Sequence, residues 1–173
     1  MENPKEKEFL QSYETYVDAL FRHCYFRVSD REKATDIVQE AFCRTWLYLS
    51  SGKDIQNLRA FLYRTANNLI IDEYRKHKSV SLDTLMEAGF EPADESRKNV
   101  EEAVLGGEIR SLLKELDESH RAVIIMRYLD GLSPKEIAEL LEVSENVISV
   151  RIHRGIEKLR QLVGKLSERG AVN

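Results

Sequence analysis

The stretch Leu132–Leu159, LSPKEIAELLEVSENVISVRIHRGIEKL, leaves the chain the least choice of structure. Ser133 precedes Pro134, and Glu136 stands three residues after the serine. A hydroxyl at the cap, a proline at the first helical position and a carboxylate that can return to the cap's own N–H together specify a helix start. Ile137, Ala138, Leu140 and Leu141 follow at helical spacing. Glu142-Val143 leaves room only for a tight turn, after which Ser144 can cap a second helix with the stripe Val147, Ile148, Ile152, Ile156 and Leu159. A short helix, a turn and a longer basic helix predict a helix-turn-helix, whose second helix fits the major groove of DNA. An ordinary helical hairpin would share the periodicity. Two features favour the helix-turn-helix: Ala138 is small where the helices must cross, and Arg151 and Arg154 lie off the apolar stripe. On this reading Ser144 leaves free N–H groups facing a phosphate. Glu145, Asn146, Val147 and Ser149 read base edges, and Arg151 and Arg154 hold the backbone.

Charge sets a condition on that reading. The 173 residues carry a net charge of −4, which is unusual for a protein that holds DNA by itself. Residues 1–78 contain 13 basic and 12 acidic side chains, 79–107 contain 2 and 7, and 108–173 contain 11 and 11. The acidic excess therefore sits mid-chain, outside the helix-turn-helix. Affinity for DNA rests on phosphate neutralisation, so the chain is expected to need a large partner to stay on it. No apolar run is long enough to span a bilayer, and the N-terminal MENPKEKEF has no signal-peptide pattern, so a cytoplasmic protein without membrane insertion is expected. Cys24 and Cys43 form no CxxC, and the pair His23-Cys24 has no second pair near it. They read as reduced thiols in or near a core, and no metal or other cofactor is expected.

The rest of the chain has helical period, so the expected fold class is all-α. Phe9 to Val28 places Phe9, Tyr13, Tyr16, Val17, Leu20, Phe21 and Cys24 on one face. Ser29-Asp30 interrupts it, and Asp30 can cap a helix from Arg31 to about Leu49. The inner stripe of that helix is Ile37, Val38, Ala41, Phe42, Thr45 and Trp46; its other face carries Asp36, Gln39, Glu40, Cys43 and Leu47. After a turn-rich break at Ser50–Asp54, a third helix is predicted from Leu58 to Lys76, with Leu58, Phe61, Leu62, Ala66, Leu69 and Ile70 inward. Tyr63, Arg64, Asn67, Ile71, Arg75 and Lys78 are read as outward. These helices can bury one core, which makes 1–78 a domain. Residues 79–99 lose periodicity, contain Gly89, Pro92 and the acidic run Glu91–Glu95, and read as a mostly extended, flexible linker. Residues 100–173 form a second small helical domain, with helices resuming near Val100 and at His120–Leu129, and a last helix expected to fray before Gly170.

Three stretches, in order, resemble one family. Ala34–Trp46, ATDIVQEAFCRTW, resembles the core-polymerase-binding segment of bacterial sigma factors. Asn57–Lys76, NLRAFLYRTANNLIIDEYRK, resembles the helix that melts the promoter and reads its minus-ten element. Leu116–Arg160 resembles the domain that reads the minus-thirty-five element. The chain is similar to the extracytoplasmic-function class of the sigma-70 family, which keeps two domains joined by a linker. Relatives often carry Thr-Val-Lys-Ser-Arg where this chain has Val147-Ile148-Ser149-Val150-Arg151, and many have arginine where Ile156 stands.

The resemblance implies a function for each outer face. Asp36, Gln39, Glu40, Cys43 and Leu47 would meet the clamp helices of core RNA polymerase. Lys53, Asp54 and Asn57 of the loop would join Tyr63, Arg64, Asn67, Arg75 and Lys78 along the minus-ten strand of promoter DNA, with Tyr63 the aromatic most expected to be exposed. The family is commonly held by an anti-sigma factor, which is the further partner implied. Phe42 and Trp46 are expected in the core. Asp36 and Glu40 as a catalytic pair lack a nucleophile, a phosphate loop and metal-type spacing, so neither an enzyme nor a small-molecule substrate is expected. A regulator with an N-terminal receiver domain would need alternating strands and helices with an acidic pocket at strand ends, against the helical period found here. A helical interaction module that never touches DNA would have no need of Arg151 and Arg154.

Overall fold

The computed structural model describes residues 4–83 and 100–170, with side chains over 4–78 and 106–167. Every regular element among the described residues is helical. The chain divides into two units, Met1–Glu95 and Ser96–Asn173.

In the first unit α1 (Pro4–Val28), α2 (Arg31–Ser50) and α3 (Leu58–Asp83) pack pairwise on one another. The α1–α2 corner is made by two residues. Ser29 adopts a left-handed φ of 56° and its N–H donates to the Tyr25 carbonyl at 2.8 Å, ending α1. Asp30 then caps α2, its carboxylate accepting from the Lys33 N–H at 3.0 Å. The α1–α2 seam is apolar: Phe9 meets Trp46 at 5.1 Å between ring centroids, and Tyr13 meets Phe42 at 4.8 Å. Phe42 is buried, and Trp46 is half-buried at the edge of the core. Leu20, Leu62 and Ile70 lose all exposure, a burial worth about 1.5–3 kcal/mol each.

The α1–α3 seam is different in kind. Arg27, buried on α1, donates through Nη1 to Oδ1 of Asn67 at 3.2 Å, and the Tyr74 hydroxyl donates to the Arg27 carbonyl. The His23 and Tyr63 rings meet edge to face at 5.1 Å. Between α2 and α3, Lys33 pairs with Glu73 at 2.9 Å. The hydrogen bond from Lys33 holds the Glu73 carboxyl below the usual carboxylate range, although burial pushes the other way.

Helix α3 runs on to Asp83, beyond the expected end at Lys76, so residues 79–83 are helical where a mostly extended linker is predicted. No glycine or proline stands between Lys78 and Gly89 to stop it. The rest of that stretch, 84–99, lies outside the described residues.

In the second unit α4 (Val100–Lys114), α5 (Glu118–Ile124), α6 (Pro134–Leu141) and α7 (Glu145–Gly170) build a separate core. The expected helix His120–Leu129 begins earlier, capped by Asp117, and its final turn Ile125–Leu129 is wound as a π-helix, with the Asp130 N–H donating to the Ile125 carbonyl at 3.0 Å. Helix α7 continues to Gly170 rather than fraying before it. Gly155 lets α7 approach α5 closely: a methyl group there would stand 3.0 Å from Cγ1 of Ile124.

Candidate functional site

Three surfaces carry the residues singled out in the sequence. The first lies on α2. Ile37, Val38, Ala41, Phe42 and Thr45 are buried, which turns the opposite side of the helix outward. Asp36, Gln39, Glu40, Cys43 and Leu47 all lie on that exposed side, with Leu47 67% exposed. Glu40 accepts from Nε of Arg44 one turn on, at 2.6 Å. The face thus offers an apolar end, an amide, a thiol and two carboxylates, one already paired. A surface that mixes those groups around an exposed leucine suits a protein partner better than water alone.

The second surface combines the α2–α3 loop with α3. Gly52 takes a φ of 87° at the bend, a value that glycine adopts without strain. Lys53, Asp54 and Asn57 are exposed. The Lys53 ammonium lies 4.9 Å from the centre of the Tyr48 ring, and Oδ1 of Asn57 accepts from the Ala60 N–H at 2.9 Å, capping α3. On α3, Arg64, Arg75 and Lys78 are exposed.

Tyr63 and Asn67 are not where the sequence places them. Both are read there as outward, yet they are 2% and 3% exposed. The buried face of α3 is centred on Leu62, Tyr63, Ala66, Asn67 and Ile70, a rotation away from the face predicted from apolar residues alone. The cause is the polar α1–α3 seam. A buried amide is tolerated where it is hydrogen-bonded, and Arg27 supplies the donor. Tyr63 is covered by His23 on one side, and the Arg59 guanidinium lies 5.6 Å from its ring centre. Neither side chain is exposed, and the exposed aromatic expected of Tyr63 is not found.

The third surface is the start of α7. Ser133 and Glu136 form the full capping box, with the Glu136 N–H donating to Ser133 Oγ at 3.2 Å and the Ser133 N–H donating to Glu136 Oε2 at 2.8 Å. Glu142, at a left-handed φ of 56°, ends α6, and the Val143 N–H returns to the Ala138 carbonyl at 3.1 Å. Ser144 Oγ accepts from the Val147 N–H at 3.3 Å. Ile137, Ala138 and Ile148 are buried in the angle between the helices. With Ile148 turned fully inward, Ser144, Glu145, Asn146, Val147 and Ser149 are all exposed, Arg154 is exposed and Arg151 half-exposed. Val147 is read in the sequence both as part of the stripe and as a base contact; its 38% exposure puts it on the outer side.

Two residues enlarge or limit this surface. Val150 is 40% exposed beside Val147 and Arg151, and its spacing of three from Val147 and four from Asn146 is the signal that marks it. Lys158, by contrast, is engaged within the unit, 2.7 Å from Oδ2 of Asp117. Burial pushes the Asp117 carboxyl up, but hydrogen bonds from Lys158, Ser119 and His120 outweigh it and hold the group well below the usual aspartate range.

Among the described residues, no group of three or more His, Cys, Asp or Glu is placed to hold a metal ion, and no helix is long and apolar enough to cross a membrane. Cys24 is buried and Cys43 is exposed on the α2 face.

Known proteins share this arrangement. Residues 12–80 match the family profile of Sigma-70 region 2, and residues 106–169 match that of Sigma-70, region 4. The ECF RNA polymerase sigma factor SigW of Bacillus subtilis is 32% identical over 163 residues, spanning 88% of this chain and 87% of SigW. The ECF RNA polymerase sigma factor SigL of Mycobacterium tuberculosis is 29% identical over 155 residues, spanning 89% of this chain and 88% of SigL. Among solved structures, the sigma factor RpoE in complex with the anti-sigma factor NepR from Bartonella quintana shares the fold, with a TM-score of 0.72 over 91% of this chain and 98% of that one at 23% identity. CnrH, solved in complex with the cytosolic domain of CnrY, shares it with a TM-score of 0.68 over 92% of this chain and 90% of that one at 24% identity.

Proposed function

The chain belongs to the ECF RNA polymerase sigma factors, and from that membership we propose how its surfaces divide the work of initiation. It is a transcription initiation factor that binds core RNA polymerase and directs it to promoters. In our assignment residues 1–78 bind the polymerase and read and open the minus-ten element. Residues 100–173 read the minus-thirty-five element, and 79–99 connect them.

The observation that carries the assignment is the pairing of a region 2 match with a region 4 match in one chain, each on its own helical unit. Within the first unit, Asp36, Gln39, Glu40, Cys43 and Leu47 meet the polymerase clamp helices. Lys53, Asp54, Asn57, Arg64, Arg75 and Lys78 follow the minus-ten strand; Tyr63 and Asn67 leave that set because they are buried. A flipped base entering the loop costs a few kcal/mol of unstacking, least where the duplex is already opening, and backbone cations help to offset it. In the second unit, Ser144, Glu145, Asn146, Val147 and Ser149 enter the major groove, and Arg151 and Arg154 hold phosphates. The acidic excess of 79–107 suits a basic channel built for nucleic acid.

An anti-sigma factor that covers both units would silence them together, and release would restore both. The fold is one that RpoE and CnrH present in their complexes with NepR and with the cytosolic domain of CnrY.

The polymerase face has a direct test. Glu40→Lys reverses charge at a site off the buried stripe and loses the Arg44 pair, so stability should fall by no more than about 1 kcal/mol. Affinity for core polymerase should fall at least about tenfold. A folded variant that binds the core as the parent does would remove Glu40 from the contact, and a variant that unfolds would contradict its place off the buried stripe.

A further inference from the structure

The loop after α2 is held by a residue 48 positions away. Lys5, in the first turn of α1, donates through Nζ to the backbone carbonyl of Lys53 at 3.1 Å and pairs with Oδ1 of Asp54 at 2.8 Å. The lysine side chain is 33% exposed and that of Asp54 is 87% exposed, so the loop carboxylate stays open to solvent while the lysine is partly covered. On its other side the loop is fixed by the Asn57 cap on α3. Ile55 and Gln56 lie between these two anchors.

From this geometry we infer that Lys5 is a positioning residue for minus-ten recognition: it orders the 51–57 loop before DNA arrives and neutralises the carboxylate the loop carries. Two physical effects act together. Ordering a loop during binding costs conformational entropy, and a tether already made in the free protein lowers that cost. Asp54 would repel a phosphate backbone, and an ammonium 2.8 Å away cancels much of that field. The inference rests on the assignment of this loop to the minus-ten strand.

The test uses full-length protein assembled with core polymerase and a promoter library with a fixed minus-thirty-five element and a randomised minus-ten element. Lys5→Met should flatten the minus-ten preference about twofold to fivefold, as loss of one part-exposed ion pair implies. Lys5→Arg should restore it, and neither variant should alter affinity for the core. In the free protein, Lys5→Met should also speed hydrogen exchange at the amides of 53–56. A Lys5→Met protein that selects as sharply as the parent, or whose loop exchanges no faster, overturns the inference. The double variant Ile55→Ala with Gln56→Ala separates the two layers. If it shifts the preference while Lys5→Met does not, only the role of Lys5 falls. If it leaves the preference unchanged, the loop assignment falls and the role of Lys5 with it.

Discussion

Asn67 shows how much one hydrogen bond can decide. Its amide oxygen accepts from buried Arg27, which on our assignment gives it to the fold rather than to the promoter. Asn67→Leu would leave that guanidinium without this acceptor and should lower unfolding free energy by about 1–3 kcal/mol in urea titrations, with minus-ten preference unchanged in the folded protein. Unchanged stability with altered minus-ten preference would return Asn67 to the DNA face. Asn146 is the opposite case, exposed on the first turn of α7. Asn146→Ala should cost about 1–3 kcal/mol at one base position and relax preference there, read by selection from a randomised upstream element. If variant and parent select the same sequences, Asn146 reads no base. Both residues are asparagines on helices, and nothing local in the sequence separates them. What does is whether a donor from another helix arrives, and Arg27 is 40 positions away.

At the scale of the element, most of the plan was legible before the structure. The Ser133 capping box and the Ser144 and Asp30 caps form as the residue pattern requires, because each depends on neighbours within a few positions. The inner stripe of α2 is buried up to Thr45, with Trp46 at its edge, because that burial is largely apolar and periodicity reads it. The face of α3 was legible only in part: Leu62, Ala66 and Ile70 are buried as expected, but Tyr63 and Asn67 are buried beside them. Apolar periodicity finds a buried stripe only where burial is apolar, and the α1–α3 seam is built from Arg27, Asn67, His23 and Tyr63. The π-helical turn at Ile125–Leu129 likewise leaves no mark in a 3.6-residue period. Gly155 tests the packing of the second unit. A larger side chain there must displace Ile124, itself 6% exposed and enclosed by the core. Gly155→Leu should destabilise the unit by about 1–3 kcal/mol and weaken minus-thirty-five recognition, measured by thermal melting and by promoter binding of the holoenzyme. A variant as stable as the parent would mean that α5 and α7 do not approach as closely as described.

In the whole molecule, a net charge of −4 is spread over a chain of two units. A chain with so little surplus positive charge gains little from counterion release on duplex DNA. Polymerase supplies the missing affinity and holds both units on the promoter at once, so each needs only modest affinity of its own. The most direct measurement is promoter binding at physiological salt by the protein alone, by core polymerase alone and by the two together. Footprinting on a promoter selected from the native genome by the holoenzyme would report all three. Both the minus-ten and the minus-thirty-five elements should be protected only when protein and core are combined. Tight, specific protection by the protein alone, or none with the core present, would contradict this expectation.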